Sequence, residues 1–205
     1  MNIGIDIDDT ITNSSEIFVK YARIYNKKHN ITYKIDTSSL DQRKAFGWSI
    51  DNKKEFASQY LKQILKETTP NDDVVEVIKI IKKLGCNIFL ITARKDSEIS
   101  GMYDFTKQWL IDNNIEFDKL IINSDDKLKV CINNNIKLFI DDDYFTCKKI
   151  FDYNKIMVLL YETSYNKMFN CLNMVKVQNW NQILEIIINV LKEEKYEKGI
   201  GIRRC

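Results

Sequence analysis

The sequence predicts an α/β fold, in which a parallel sheet carries helices on both faces and a small helical insertion follows the first strand. From residue 72 onwards, short apolar runs alternate with segments of helical spacing. The runs are almost continuously apolar, as in strands that are buried on both faces. No further strand pattern occurs between the first run and residue 72. We therefore expect a core domain formed by residues 1–13 and 72–205, and a helical cap formed by residues 14–71.

The N-terminal segment is predicted to be a buried strand followed by a helix. The strand ends at the acidic sequence "DIDD". Beyond it, Ile17, Tyr21 and Ile24 recur at helical spacing, and Asn13 precedes them as a helix-capping signal. The chain then stays helical or irregular as far as Pro70, which includes the amphipathic stretch "KKEFASQYLKQILKE".

The remaining strands of the predicted core correspond to four apolar runs. In chain order these are "NIFLITA", "KLIIN", "KLFID" and "KIMVLLY". A helix that stops at Gly85 precedes the first of them, and the helix "NQILEIIINVLKEE" completes the core. Ligands of such sheets bind beyond the carboxyl ends of the strands, so polar residues at those ends are the candidates for function.

Charge and composition narrow the classes of partner and location. Lys and Arg (31) nearly balance Asp and Glu (29), so no large field favours a nucleic acid or a membrane as partner. The longest apolar runs are too short to span a bilayer, and no signal-peptide pattern is present. The five cysteines form no C-x-x-C pair, which favours reduced thiols in a cytoplasmic protein: Cys86, Cys131, Cys147, Cys171 and Cys205. The oligomeric state stays open.

Two acidic clusters each follow an apolar strand. Asp6 and Asp8 end the first strand, and Asp141, Asp142 and Asp143 end a later one. If the two strand ends are neighbours, each close pair of carboxylates repels by roughly 4 kcal/mol at about 4 Å and an effective dielectric constant near 20. A cation would relieve this repulsion, and a set of oxygen ligands suits Mg²⁺. The alternative is two solvated turns, in which Asp143 only caps the next helix.

Two further residues suit an anion beside such a metal. Thr92 ends the strand "NIFLIT", where its hydroxyl and the following backbone N–H groups can hold phosphate oxygens. Lys127 follows "IINSDD" at the start of a helix, where it can offset phosphate charge. The alternatives are an ordinary β-branched strand residue and a surface ion pair.

The motifs "DIDDT", "FLIT", Lys127 and "FIDD" resemble, in order and in strand-end context, those of the haloacid dehalogenase (HAD) superfamily of phosphotransferases. The insertion lies where that superfamily places a small helical cap. The segments "SDDK", "NWNQILEI" and "FTKQWLIDNNIEFDKLI" are similar to its 5'(3')-deoxyribonucleotidase-like branch (5'-nucleotidase type C). The chain departs from the pattern at Asp9, where many relatives carry glycine, and at Asn71, where a Pro-x-Pro-Gly-like turn is usual.

The resemblance implies a mechanism and roles for individual residues. Asp6 would attack phosphorus and form an aspartyl-phosphate, while Asp8 would protonate the leaving alcohol and later deprotonate water. Mg²⁺ would be held by Asp6, the backbone carbonyl of Asp8 and Asp142, with Asp141 as a ligand or as support.

The same resemblance implies which groups hold the phosphate. Thr92, the Ala93 backbone and Lys127 would gather the charge of the phosphoryl oxygens. Arg94, which follows directly, is a further candidate for phosphate contact.

The insertion contains aromatic residues that suit a nucleobase. Phe46 and Trp48 flank Gly47 in a stretch of poor helical periodicity, where they can stack on a base or pack the cap against the core. Four other aromatics lie at helical spacing and are expected to form the core of the cap: Phe18, Tyr21, Phe56 and Tyr60.

The predicted function is that of a Mg²⁺-dependent hydrolase of phosphoric monoesters, namely a 5'-nucleotidase acting on (deoxy)nucleoside monophosphates. One alternative is a phosphatase of another small phosphometabolite such as a sugar phosphate, which would share every catalytic residue. Another is a non-catalytic phospho-ligand sensor, which would require damaged machinery. A phosphatase that processes nucleic-acid ends is disfavoured because no basic stripe is present.

Overall fold

The computed structural model describes residues 1–39, 41–169 and 174–201 of the chain. Cys171 and Cys205, two of the predicted reduced thiols, lie outside these ranges. The other three cysteines are buried free thiols, in agreement with the prediction for them: Cys86, Cys131 and Cys147.

A parallel sheet forms the centre of the molecule. Its strands are β1 (Asn2–Ile5), β2 (Asn87–Ile91), β3 (Lys119–Ile121), β4 (Leu138–Asp141), β5 (Met157–Tyr161) and β6 (Val175–Val177). They are arranged in the order β3-β2-β1-β4-β5-β6, with every pair parallel, which confirms the predicted fold class. Strand β6 was not predicted, because an edge strand of three residues carries too little apolar periodicity to be recognised.

Helices cover both faces of this sheet, as predicted. They are α1 (Ser14–Lys28), α2 (Gln42–Phe46), α3 (Ile50–Glu67), α4 (Val74–Lys83), α5 (Met102–Asp112), α6 (Lys127–Asn133), α7 (Tyr144–Asp152) and α8 (Trp180–Gly201). One face packs against α4, α5 and α8 through buried residues such as Ile78, Leu110 and Ile183. The other packs against α6 and α7 through Cys131 and Ile150. Within the described ranges, no helix combines the length and apolarity needed to cross a bilayer.

The segment between β1 and α4 contains α1, α2 and α3 and has its own apolar cluster, as expected for a cap. All four aromatic residues predicted for its core pack there: Phe18, Tyr21, Phe56 and Tyr60. The entering and leaving chains pair with each other, since Thr12 and Pro70 form a β-bridge and Asn13 N donates to Thr69 O at 3.2 Å. The boundaries at residues 13 and 72 stay a prediction.

The start of α1 is capped by a residue that the sequence analysis did not identify. Asn13 occupies the N-cap position, but its side chain makes no cap hydrogen bond and accepts instead from Thr69 N at 3.1 Å. The carboxylate of Asp9 caps the helix, because its Oδ1 accepts from Ser15 N at 2.6 Å and from Ser14 Oγ at 2.8 Å. Asp9 has a positive φ of 59°, a conformation that favours glycine, so the capping bonds stabilise a strained backbone.

Candidate active site

The two acidic motifs meet at the carboxyl end of the sheet. Because β1 and β4 are adjacent and pair Ile5 with Ile140, Asp6 follows β1 beside the end of β4. The Asp6 amide donates to Ile140 O at 2.9 Å, and one ligand atom from each of Asp6, Asp141 and Asp142 lies within 4.8 Å of the others. The interpretation as two separate solvated turns is therefore wrong for these three residues.

Asp143, the third acid of the later motif, has a different role. It is the N-cap of α7, where its Oδ1 accepts from Thr146 N at 2.6 Å. Its own amide donates to Oδ1 of Asp141 at 2.9 Å. The alternative of a helix cap thus describes Asp143. Its neighbours Asp141 and Asp142 form, together with Asp6, the group of carboxylates that is called the acidic cluster below.

Lys127 lies inside the acidic cluster rather than at the surface. Its Nζ donates to Asp6 Oδ1 at 2.5 Å and to Asp141 Oδ2 at 2.7 Å, and its side chain is 9% exposed. The Asp126 side chain caps the start of α6, so that Lys127 is the first residue of this helix. The interpretation of Lys127 as a surface ion pair is wrong, because both of its carboxylate partners are buried.

The electrostatics of the cluster fit a divalent cation. Burial raises the pKa of Asp6 to about 8, although the nearby ammonium of Lys127 opposes the rise, and burial also raises the pKa of Asp142. Ionised, the three carboxylates and one ammonium leave two negative charges in excess. In the part of the chain that the structure describes, Oδ2 of Asp6 accepts no hydrogen bond, so it can bind an ion or attack an electrophile. Buried oxygen ligands of this kind suit Mg²⁺.

Asp142 is oriented by two residues to which the sequence alone assigned no role. Thr10 Oγ1 donates to its Oδ1 at 3.0 Å, and the Tyr165 hydroxyl donates to its Oδ2 at 2.5 Å. Tyr165 lies in the loop after β5, and its hydroxyl is also 2.9 Å from Oδ2 of Asp9. Its position beyond a strand end was the one signal available, since nothing local connects Tyr165 with Asp142.

Removal of the Tyr165 hydroxyl tests whether its hydrogen bond to Asp142 stabilises the protein. We expect Tyr165→Phe to destabilise the protein by about 1–3 kcal/mol, because a buried acceptor on Asp142 loses its donor. The measurement is urea unfolding in the presence of a chelator. Tyr153→Phe is the control, since Tyr153 is 36% exposed, and we expect a change below about 0.5 kcal/mol. Equal stability of the two variants would contradict the assignment.

Asp8 lies beside the acidic cluster and is held by Arg94. The guanidinium makes two contacts with the carboxylate, from Nε to Oδ2 at 2.9 Å and from Nη2 to Oδ1 at 2.7 Å. Its third nitrogen, Nη1, donates to Thr106 Oγ1 on α5 at 3.3 Å. Three of the five N–H groups of Arg94 therefore donate within the protein, and its phosphate contact stays a prediction.

The residues that directly follow β2 provide hydrogen-bond donors for an anion. Thr92 is 1% exposed, its Oγ1 accepts from Arg94 N at 3.2 Å, and Ala93 lies exposed at the wall of the neighbouring cavity. Ser124, another residue that the sequence analysis missed, donates its amide to Thr92 O at 3.1 Å. The buried Ser124 hydroxyl has no hydrogen-bond partner among the described residues, and a phosphate oxygen would satisfy it.

A cavity of about 730 Å³ opens between this strand edge and the insertion. Asp8, Ala93 and Arg94 lie on the core side. The opposite wall is largely apolar and comes from α1, α2 and α3: Phe18, Val19, Ala45, Phe46, Leu61 and Ile64. The shape therefore suits a ligand with one anionic end and one apolar face.

The two aromatic candidates for base stacking differ in position. Phe46 lines the cavity, so its contact with a base stays a prediction. Trp48 is 5% exposed and packs against Phe56 at a ring distance of 4.5 Å, and its indole N–H donates to Asn26 Oδ1 at 2.6 Å. Trp48 is not among the residues that line the cavity, and it packs in the apolar cluster of the insertion itself rather than between the cap and the core. Its contact with a base stays a prediction.

Sequence comparison finds relatives that match nearly the whole chain. No protein-family model matches the chain. The chain is 26% identical over 191 residues to "Putative nucleotidase YqfW" of Bacillus subtilis, which covers 92% of this chain and 94% of that protein. It is 28% identical over 196 residues to a protein of Clostridium acetobutylicum named a nucleotidase, with 95% and 97% covered.

Solved structures give the same result for the fold. The structure of a haloacid dehalogenase-like family hydrolase from Streptococcus pneumoniae superimposes with a TM-score of 0.69 at 13% identity, covering 90% of this chain and 97% of that one. The fold that the strand-end motifs imply is thus confirmed. The chain has the haloacid dehalogenase fold and is similar over nearly its whole length to proteins named as nucleotidases.

Proposed function

We propose that the protein is a Mg²⁺-dependent phosphomonoesterase that hydrolyses (deoxy)nucleoside monophosphates through an aspartyl-phosphate. The observation that carries the proposal is the buried carboxylate cluster, in which Lys127 engages Oδ1 of Asp6 while Oδ2 accepts no hydrogen bond from any described residue. Its two excess negative charges are what a divalent cation would balance. The intact set of groups argues against a non-catalytic sensor.

The proposed reaction has two steps at one phosphorus atom. Oδ2 of Asp6 attacks phosphorus and the ester P–O bond breaks, while Asp8 gives a proton to the leaving oxygen. Asp8 then takes a proton from water, which attacks phosphorus and releases phosphate from Asp6. Thr92 and Lys127 would hold the phosphoryl oxygens. Mg²⁺, held by Asp6, Asp142 and the carbonyl of Asp8, would neutralise negative charge at the site.

The nucleotide preference rests on the cavity and on the relatives. Its volume of about 730 Å³ leaves room for a nucleoside beyond the phosphate, and Phe46 offers an aromatic face. The two relatives described above, from Bacillus subtilis and Clostridium acetobutylicum, are named as nucleotidases. We place the activity in the cytoplasm, which is supported by three buried free thiols: Cys86, Cys131 and Cys147.

A phosphate-release screen tests the proposal. The purified protein is assayed against nucleoside and deoxynucleoside monophosphates, sugar phosphates and p-nitrophenyl phosphate, with Mg²⁺ or with a chelator. We expect nucleotides to be preferred at least about tenfold in kcat/KM and the chelator to abolish turnover. A preference for sugar phosphates would overturn the substrate assignment alone. Absence of metal-dependent release from every ester would overturn the proposed function.

A further inference from the structure

We propose that Arg94 is a positioning residue, which holds the Asp8 carboxyl in place for proton transfer and does not bind the substrate phosphate. The inference rests on the proposed function and deepens it. It concerns a contact between two residues that are 86 positions apart in the sequence.

The contact has the form that best fixes a carboxyl group. Two parallel hydrogen bonds, at 2.9 Å and 2.7 Å, join Nε and Nη2 of Arg94 to the two oxygens of Asp8. A two-point contact sets both the position and the plane of the carboxyl group, whereas a single bond would leave it free to rotate. The Arg94 side chain is 4% exposed and that of Asp8 is 35% exposed. One side of Asp8 therefore faces the buried guanidinium while the other stays open to the cavity.

Arg94 is itself held rigidly. Its Nη1 donates to Thr106 on α5, its amide donates to Thr92 Oγ1, and its carbonyl accepts from Asn123 N at 2.9 Å. Burial disfavours the charge of the guanidinium, but the Asp8 carboxylate outweighs that effect, so the pKa of Arg94 is raised above its ordinary value. A guanidinium is not deprotonated in proteins, so the anchor keeps its charge.

The proposed chemistry explains why such an anchor is needed. In the first step the bond between Asp6 Oδ2 and phosphorus forms, the ester bond breaks, and the proton of the Asp8 carboxyl passes to the leaving oxygen. In the second step Asp8 accepts a proton from the attacking water. The group must change its protonation state twice in each turnover while its distance to the reacting oxygen stays the same, and small displacements are costly in rate.

Two substrates with different leaving groups show whether Arg94 positions Asp8 or binds the phosphate. A nucleoside leaves as an alkoxide and needs the Asp8 proton, whereas p-nitrophenolate is a weak base and leaves without it. We expect Arg94→Met to lower nucleotide turnover about 100-fold. With p-nitrophenyl phosphate, the same variant should release one p-nitrophenolate per enzyme in a rapid burst and then turn over slowly, because water activation still requires Asp8. The measurement is stopped-flow absorbance under Mg²⁺.

Two further variants test whether the loss of turnover comes from the lost orientation of Asp8, rather than from lost charge or from misfolding. Arg94→Lys keeps the charge but offers one point of contact, so we expect it to resemble Arg94→Met; full nucleotide turnover would overturn the two-point requirement. Lys95→Met is the surface control, since Lys95 pairs with the exposed Asp125, and it should match the wild type. A misfolded variant would lose the burst together with the turnover, and circular dichroism would show the loss of structure.

A double-mutant cycle decides whether Arg94 acts through Asp8. In an Asp8→Ala background, adding Arg94→Met should change the rate less than about twofold, because the positioned group is already absent. A further large loss, with a raised KM for p-nitrophenyl phosphate and no burst, would identify Arg94 as a phosphate ligand and overturn the inference. If the wild type released no phosphate from any ester, the proposed function would fail first and this inference with it.

Discussion

Asp6→Asn is expected to lower phosphate release by at least about 10³-fold, since an amide cannot serve as the nucleophile that forms the acyl phosphate. Asparagine keeps the shape of the side chain and an oxygen that can accept from Lys127, so the loss should be chemical rather than structural. Steady-state phosphate release from the preferred nucleotide measures the effect. In addition, acid-quenched wild-type enzyme should carry covalent phosphate, and the variant should carry none.

The control for this substitution is a carboxylate of the same type far from the cluster. Asp152 pairs with Lys148 on the surface of α7, with 57% of its side chain exposed. Asp152→Asn should therefore keep wild-type turnover. If Asp6→Asn also kept it, the assignment of the nucleophile would be wrong, whatever the fold.

Lys127→Met is expected to destabilise the protein by about 3–5 kcal/mol in the presence of a chelator. The substitution removes the ammonium that joins Asp6 and Asp141, whose side chains are 8% and 1% exposed, and leaves buried carboxylates without compensation. Urea unfolding with a chelator measures the loss. Turnover should also disappear, because the phosphate loses a positive charge.

A second measurement and a control make this result specific to the acidic cluster. Saturating Mg²⁺ should recover part of the stability of Lys127→Met, because a cation that binds the same carboxylates stabilises only the folded state. Lys149→Met removes an exposed pair with Asp126, so we expect a change within about 0.5 kcal/mol. If Lys127→Met were as stable as the wild type without metal, the charge balance described for the cluster would be contradicted.

The chemistry-bearing residues were predictable where the signal is local. Asp6, Thr92 and Asp142 each end or follow an apolar strand, and the carboxyl ends of parallel strands share one edge of the sheet. The fold class therefore places them at one edge of the sheet, but the convergence of Asp6 and Asp142 also depends on the adjacency of β1 and β4, which only the structure shows. The failures arose where a residue's neighbours in sequence do not determine its partner. Asn13 had a capping pattern, yet Asp9 caps α1.

The sequence by itself determined the parallel α/β core, the helical insertion and the acidic strand ends, because apolar periodicity and the succession of elements along the chain can be recognised in short segments. Only the tertiary structure decided the partners of the acids: Lys127 between Asp6 and Asp141, Arg94 on Asp8, and Tyr165 on Asp142. It also decided that Trp48 packs inside the cap. A buried charge or indole N–H takes whichever partner the packed chain brings within hydrogen-bond distance, and that choice depends on segments far apart in the sequence.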